Sequence, residues 1–498
     1  MAPMHGYQGE PAPLGDVLVL GLGTSGKAAA SYLSRLVGSR VDSLTVLAGK
    51  RTEDAERFAD ELKRACGAHV AFDTEEVEGA YHLCIASPGI SEFSDFYRNA
   101  LRASREVVSE VEFAWRESPA SSRWVAITGT NGKTTTTALT AHVLSSAGLA
   151  AVACGNIGDA CIDAVAAGDA DVFVAEVSSY QLASTSQFCP DVAVLLNITP
   201  DHIKWHRSLE NYAAAKYKVL ANLAQAPDGV CILDAVNDVV REGQVKRLRA
   251  QSRDERGFDY VPIGCAAGLS ASMRDACGSE NAAFLDEGVL RVDFRGCEHR
   301  LLPASSLQIK GEHNASNALA AASVGFALGL EESSVREALA SFTPLAHRIE
   351  PCGSVHGVAC YNDSKATNVD ATLKALSAFG EVRPIVLLGG DDKGTDLAEL
   401  ASAARAHCKA VVCYGASAER FLAAFGGVCQ HADSAHGELA VFEAEHMEDA
   451  LDVALGAACE GDVVALSPAC ASFDEFSCYQ ERGDVFKRLV AERARKGA

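Results

Sequence analysis

The 498-residue sequence predicts an α/β fold of three successive domains, each built on a mostly parallel sheet with flanking helices. Three observations predict it. Short apolar runs alternate with helical patterns along most of the chain, as expected of parallel strands joined by crossover helices. Two glycine-rich turns each follow an apolar run and open a helical pattern, Gly21-Leu22-Gly23-Thr24-Ser25-Gly26 and Gly129-Thr130-Asn131-Gly132-Lys133-Thr134. Hydrophobic residues make up 48% of the chain, enough for several cores, and at roughly 100–200 residues per domain the length allows two to four domains.

The elements follow in order. Residues 1–15 read as an irregular lead. Residues 17–20 form an apolar run ending at the first glycine turn, and a helical pattern covers 28–36. Runs at 44–47 and 82–86 predict two more strands, the second ending in Ser87-Pro88-Gly89-Ile90. A second segment opens near 118, with a buried-type strand at 124–127, the second glycine turn and a helix over 135–147. Strands at 172–177, 192–197 and 230–233 follow. The stretch 241–296 is mixed and polar, with a short antiparallel strand at 289–294, and 315–328 is alanine-rich and helical. A third segment opens near 343, with strands at 384–388, 410–414 and 463–466 between alanine-rich helical stretches. The predicted domains are 1–117, 118–342 and 343–498.

Charge narrows the function. There are 44 Lys plus Arg against 66 Asp plus Glu, a formal net charge of −22. Such a chain repels nucleic acid and anionic membrane unless it carries a basic patch, and no basic run of five to eight residues is present. No apolar run approaches the ~20 residues of a membrane span. The first residues have neither a basic start nor an apolar stretch of the secretory type, so a cytoplasmic location is expected. The 17 cysteines are then expected to be reduced thiols packing as small hydrophobes. The absence of any C-x-x-C pair argues against zinc ribbons and redox dithiols.

The segment Gly129–Thr134 carries the strongest chemistry. Glycines let the backbone wrap a phosphate, and amides at a helix N-terminus bind the anion. Lys133 would neutralise β- and γ-phosphates, and Thr134 would offer a hydroxyl to Mg²⁺. Only Thr130 and Asn131 separate the first glycine from Gly132-Lys133, two residues where the usual phosphate loop has four. A GTPase is disfavoured, because no Asn-Lys-x-Asp sequence occurs and Asp391-Asp392-Lys393-Gly394 lies far downstream. Gly21, Gly23 and Gly26 fit G-x-G-x-x-G. The expected ribose-binding acid at the end of the second strand is replaced by Ala48-Gly49-Lys50-Arg51, so a nicotinamide cofactor is disfavoured and another diphosphate suits the turn better.

Acids at strand ends are candidate cation ligands. Glu176 leaves a strand beside the phosphate loop, and Mg²⁺ favours one or two carboxylates plus phosphate and water. Asp201-His202 follows another strand, so His202 is a candidate for a second cation. His206 lies four residues on, but without the Glu of H-E-x-x-H zinc ranks low. Lys216 falls in a helical stretch, where the default is a solvated lysine.

Taken together, Thr128–Thr134, Glu176-Val177-Ser178-Ser179-Tyr180-Gln181, Asp201-His202, Tyr212 with Lys216, His313-Asn314 with Asn317, His347-Arg348, Asn362-Asp363-Ser364-Lys365-Ala366-Thr367-Asn368 and the segment 467–476 resemble the Mur ligase family in order and approximate spacing, over nearly the whole chain from Val17 onward. Within that family, the segments 362–368, 389–394 and 467–474 resemble the D-glutamate-adding member. The resemblance implies an N-terminal Rossmann-like domain, a central P-loop ATPase-like domain and a C-terminal Rossmann-like domain. It implies ATP and Mg²⁺, two cations in all, with UDP-N-acetylmuramoyl-L-alanine and D-glutamate as substrates, in a monomer that meets neither nucleic acid nor membrane. It also implies roles. Gly129, Thr130, Asn131, Gly132, Lys133, Thr134 and Thr135 would bind ATP, with Asn314 and Asn317 on the adenine side and Arg348 and Asp363 at phosphate and ribose. Thr134, Glu176, His202 and a carbamylated Lys216 would hold the cations, with Lys133, Glu176, His202 and Lys216 as the catalytic set. Thr24, Ser25, Ser87, Pro88 and Gly89 would meet the UDP group. Asn156, Ser178 and Gln181 would meet the muramoyl group. Lys365, Thr367, Lys393, Ser472 and Tyr479 would cradle D-glutamate. Two departures stand out. Ala48-Gly49-Lys50 replaces the family's usual Asp-Thr-Arg near UDP, and Tyr479 replaces a common Phe, so its hydroxyl needs a partner. The 241–296 stretch is longer than usual, and no role is assigned to it.

Overall fold

The computed structural model describes residue 5 and residues 11–265, 276–309, 311–380, 382–392, 394–428 and 439–496. They divide into two compact units, Met1–Ser306 with Ala315–Ser341, and Leu307–Asn314 with Phe342–Ala498.

The first unit holds two sheets. The N-terminal sheet comprises β1 (Gly15–Leu20), β2 (Val41–Leu47), β3 (His69–Ala71), β4 (Leu83–Ala86) and β5 (Val107–Ser109), ordered β3-β2-β1-β4-β5 and parallel throughout. β1 sits in the centre and every residue from Val17 to Leu20 is buried, which is why it reads as a continuous apolar run rather than an alternating one. The second sheet contains β6 (Arg123–Thr128), β7 (Ala151–Gly155), β8 (Val172–Glu176), β9 (Val192–Leu195), β10 (Val230–Asp234), β11 (Asp259–Gly264), β12 (Ala282–Asp286), β13 (Val289–Phe294) and β14 (Cys297–Pro303). Its order is β14-β13-β12-β11-β10-β9-β6-β8-β7, with β13 antiparallel to both of its neighbours and every other pair parallel. Trp124 is fully buried there, with its ring 4.8 Å from that of Phe173 and its indole N–H donating to Ser118 Oγ at 3.0 Å.

The helix Glu110–Glu117 joins these two sheets, and all eight of its residues are buried. Ser109 caps it by accepting from the Glu112 amide at 3.2 Å. Its charges are matched one by one. Glu117 accepts from Arg40 at 2.6 and 2.9 Å and from the Tyr32 hydroxyl at 3.0 Å. Glu112 accepts from Arg116 at 2.6 Å and from the amides of Ser186 and Gln187. Glu110 Oε1 accepts from the Ile162 amide at 2.7 Å, at the start of the helix Cys161–Ala167, whose own N-cap Ala160 has no side-chain acceptor. Burial pushes the Glu110 carboxyl up to about 7, despite these amide bonds, which favour the charged form.

The second unit holds β15 (Glu350–Val355), β16 (Val358–Asn362), β17 (Ile385–Gly389), β18 (Ala410–Tyr414), β19 (Ala440–Glu443) and β20 (Val463–Ala469), ordered β15-β16-β20-β17-β18-β19 with only β15 antiparallel. Its two faces carry separate apolar clusters. One is built on Ile385, Leu387, Val412, Leu466 and Phe486, the other on Val386, Leu388, Val411, Leu400 and Phe421. Alternate residues of β17 thus feed opposite cores, as strand geometry requires.

Every strand predicted from an apolar run overlaps an observed one. Sequence patterning missed β3 and β5, which are short, β7, which is rich in small residues, and β15, which is interrupted by Pro and Gly, and it also passed over β11, β12, β14, β16 and β19. The polar stretch after residue 241 resolves, where described, into a π-helical turn at Arg241–Val245, short helices, and β11–β13.

Candidate active site

β6 delivers the chain into the phosphate loop, and the helix Lys133–Ser146 leaves it. Gly132 sits at φ +84°, and a Cβ there would come within 2.6 Å of Asn317 Oδ1. Glycine is therefore required twice over, by conformation and by the neighbour. The loop is braced by the chain that follows β9. The Thr130 amide donates to Asn197 O at 2.8 Å, the Asn131 amide to Asn197 Oδ1 at 2.9 Å, and Thr130 Oγ1 accepts from the Thr199 amide at 3.0 Å. The Tyr212 hydroxyl lies 2.9 Å from Thr130 Oγ1.

Two lysines converge on this loop. Lys133 Nζ donates to Gly129 O at 2.9 Å and to Thr130 O at 2.8 Å. Lys216, 1% exposed on the helix Leu209–Tyr217, donates to the same Gly129 oxygen at 2.8 Å. Burial, reinforced by the Lys133 charge, holds the Lys216 amine well below the ordinary lysine range, although Asp201 and Glu176 pull the other way. Lys216 is thus a buried amine bonded to the phosphate loop, not a solvated helix lysine. Glu176, at the end of β8 and also 1% exposed, accepts from Asn156 Nδ2 at 2.7 Å through Oε1. Its Oε2 is buried and has no hydrogen-bond partner. A buried carboxylate oxygen with no donor suits a cation. The described residues contain no preassembled group of three or more His, Cys, Asp or Glu. That fits a Mg²⁺ held by one carboxylate, a hydroxyl such as Thr134, phosphate oxygens and water better than an all-protein cage.

His202 sits at φ +53°, its amide donating to Asp201 Oδ1 at 2.8 Å and its ring 4.8 Å from that of Tyr180. His206 is fully buried, with Nε2 2.9 Å from Ser179 Oγ. Burial and the nearby His202 and Lys216 push it down to about 4. It packs against Ser179 beside the site. Ser178 and Gln181 cap the helix Ser179–Ala183 reciprocally, Ser178 N–H donating to Gln181 Oε1 at 2.8 Å.

At the N-terminal sheet, the glycine turn borders a cavity of about 580 Å³, within the range of small-molecule sites. Thr24, Ser25, Ser87, Pro88 and Gly89 all line it, as do Gly49 and Lys50. The stretch that departs from the family pattern is therefore part of the wall. A Cβ on Gly26 would collide with the Gly21 carbonyl oxygen, so close packing of helix against turn fixes that glycine.

The second unit gathers another set. Asp363 is buried, Oδ2 accepting from Ser467 Oγ at 2.7 Å and Oδ1 from the Ile349 amide at 3.2 Å, and burial pushes it up to about 7. Arg348 sits between two residues in the left-handed region, His347 at φ +63° and Ile349 at φ +44°. The turn is held by Glu350 Oε2, which accepts from the His347 amide at 2.8 Å, and by Asp363. Lys365 Nζ lies 3.9 Å from the centroid of the Tyr479 ring, and Ser472 is buried close by in sequence to Tyr479. Asn314 belongs to this unit, whereas Asn317 belongs to the first. Lys393 lies outside the described residues. Sequence reading missed Arg482, a fully buried side chain on the helix Tyr479–Lys496. Its partners are distant in sequence, and a lysine- or arginine-rich helix gives no local sign of a buried one.

Comparison with known proteins places the chain in a family. Residues 127–325 match the Mur ligase middle domain and residues 347–470 the Mur ligase, glutamate ligase domain. The UDP-N-acetylmuramoylalanine–D-glutamate ligase of Salinibacter ruber is 38% identical over 484 residues, covering 95% of this chain and 96% of that protein. The enzyme of the same name from Koribacter versatilis is 35% identical, with 96% and 97% covered. Among solved structures, MurF from Acinetobacter baumannii aligns with a TM-score of 0.56 at 17% identity, covering 96% of this chain and 93% of that one, a likeness of fold. UDP-N-acetylmuramate-alanine ligase from Thermotoga maritima aligns at 0.53 and 17%, covering 97% and 100%. With relatives above one-third identity along almost its entire length, the chain belongs to the Mur ligase family.

Proposed function

We propose that this protein is an ATP-dependent ligase that joins D-glutamate to UDP-N-acetylmuramoyl-L-alanine in the cytoplasm, acting as a monomer in peptidoglycan precursor synthesis. The observation that carries the chemistry is the pair of lysines on the Gly129 carbonyl beside the unpartnered Glu176 oxygen. The choice of substrates rests on the full-length relatives named for that reaction. No described helix is long and apolar enough to cross a membrane.

The reaction needs activation because a carboxylate would have to expel oxide. An oxygen of the L-alanine carboxylate attacks the γ-phosphorus of ATP, and ADP leaves. The D-glutamate amine then attacks the acyl carbon of the acyl phosphate, a tetrahedral intermediate forms and loses a proton, and phosphate departs. Phosphoryl transfer depends on positioning and charge neutralisation more than on covalent help. Gly129 to Thr135 wrap the phosphates, with Lys133 exchanging its two loop carbonyls for phosphate oxygens. Thr134 and Glu176 would hold Mg²⁺, which would supply positive charge to the phosphates, and His202 would hold a second cation. The unprotonated form of the Lys216 amine, which burial favours, can add CO₂ and release a proton. The carbamate would place a negative group at Nζ, attractive to Lys133 where an ammonium would repel it.

The UDP group occupies the cavity bordered by Thr24, Ser25, Ser87, Pro88 and Gly89. Asn156, Ser178 and Gln181 serve the muramoyl group. Asn314, Asn317, Arg348 and Asp363 serve the nucleotide, and Lys365, Thr367, Lys393, Ser472 and Tyr479 serve D-glutamate. The division of labour follows the segments 1–117, 118–342 and 343–498. The test is phosphate release by purified protein with ATP, Mg²⁺, UDP-N-acetylmuramoyl-L-alanine and an amino-acid panel. Release should require D-glutamate and ignore L-glutamate, L-lysine and diaminopimelate. Release with a different amino acid would keep the ligase and refute the acceptor pocket.

A further inference from the structure

Arg482 is 1% exposed, and each of its described hydrogen bonds ends on a neutral oxygen. Burying a guanidinium without a carboxylate is costly unless its donors are fully used. Here the planar fork spans two segments. Nε donates to Ser364 Oγ and Nη2 to Ser364 O, both at 2.9 Å. Nη2 also donates to Cys470 O at 3.0 Å, and Nη1 to Ala471 O at 3.1 Å. Ser364 Oγ in turn donates to Tyr479 O at 2.8 Å. The second segment is strained, because Ala469 holds φ +59°, a region that residues with a Cβ avoid. The fork grips the two carbonyls just past that residue. Gly390 packs against the Ala471 carbonyl, since a Cβ there would collide with its oxygen and lie 3.1 Å from Nη1.

Both clamped segments lead directly into residues assigned above to the acceptor. Lys365 and Thr367 follow Ser364, Ser472 follows Ala471, and Tyr479 is tied in through Ser364. We propose that Arg482 is a positioning residue for the incoming amino acid, setting the separation of the Lys365 and Ser472 segments across the acceptor pocket without touching substrate. This deepens the functional reading above and rests on it. The role needs the fork. A lysine could keep the charge, but a point donor cannot hold Ser364 and the Cys470–Ala471 carbonyls at once.

The test compares Arg482→Lys and Ser364→Ala with wild type in steady-state kinetics. Arg482→Lys should raise the KM for D-glutamate about 10-fold or more, because small misplacements of binding groups have large effects. The KM values for ATP and for UDP-N-acetylmuramoyl-L-alanine should stay within about twofold, and kcat at saturating D-glutamate should be largely kept. Ser364→Ala removes one acceptor of the fork and should raise the same KM by about threefold, which decides the matter if Arg482→Lys does not fold. A lower kcat with all three KM values unchanged marks a merely structural arginine and overturns the proposal. The wild-type panel separates the two ideas, since a wild type that uses another acceptor refutes the D-glutamate reading and moves the KM comparison to that acceptor. Amide hydrogen exchange decides without turnover. Loss of protection confined to 364–367 and 469–472 in Arg482→Lys supports the clamp, and unchanged protection there refutes it.

Discussion

The Gly129 carbonyl accepts from both Lys133 and Lys216, and two ammonium groups on one buried oxygen repel strongly. The buried lysine gives way, and burial with the Lys133 charge holds the Lys216 amine well below the ordinary lysine range. The consequence is testable. Lys216→Ala should cut turnover roughly 100-fold or more, the scale of losing one aligned electrostatic group, and short carboxylates such as acetate should restore part of it. Normal turnover in that variant would remove the basis for a negative group at Nζ. Sequence made Lys133 and Glu176 legible because each sits inside a local strand–loop pattern. The state of Lys216 was not legible, because it depends on Lys133 and on burial, and neither is local to the helix. Arg482 was hidden for the same reason, since its Ser364 partner lies 118 residues away.

The helix Glu110–Glu117 shows how an element can bury as many charged side chains as apolar ones. Half of its residues are charged, a pattern that does not predict burial at every position, and the donors brought by Arg40, Tyr32, Ile162, Ser186 and Gln187 make it possible. One charge remains poorly served. Glu110 Oε2 has no hydrogen-bond partner, and the carboxyl ionises only near 7, against about 4.3 when unfolded. The folded state therefore binds the extra proton between those values. Stability from this group is full below about pH 4 and is lost as pH rises through 7. Glu110→Gln mimics the protonated acid. Its melting temperature relative to wild type should rise between pH 5 and pH 7.5, by an amount corresponding to on the order of 3 kcal/mol at most. A pH-independent difference would show that Glu110 is ionised throughout. The other illegible elements have plain causes. β3 and β5 are three residues each, and β7 is mostly alanine, cysteine and glycine, so none offers a long apolar run.

Across the whole molecule, the net charge of −22 opposes the three anionic substrates proposed for it. Each unit nevertheless carries local cations among the proposed binding residues, Lys133 in the first and Lys365 and Arg348 in the second. Screening should therefore help. Raising ionic strength from about 0.01 M to about 0.15 M shortens the Debye length from roughly 30 to 8 Å, enough to mute distant carboxylates while sparing contacts inside the site. We expect kcat/KM for ATP to rise over that interval, measured under subsaturating ATP. A fall instead would mean that the local cations dominate the approach. The three-sheet plan was legible at this scale because central parallel strands, buried on both faces, show up as unbroken apolar runs. The antiparallel margin of the second sheet, β13 and β14, lacks that signature except at 289–294.

The turn around Arg348 has a bearing on laboratory selection. Ile349 is β-branched, and at φ +44° it occupies a conformation that glycine or asparagine would adopt far more easily. A library screened only for heat survival would tend to replace it, and the turn presenting Arg348 would slacken. A library screened for growth would tend to keep it. The same codon is pulled in opposite directions by the two screens, and the residue found there records which pressure has dominated.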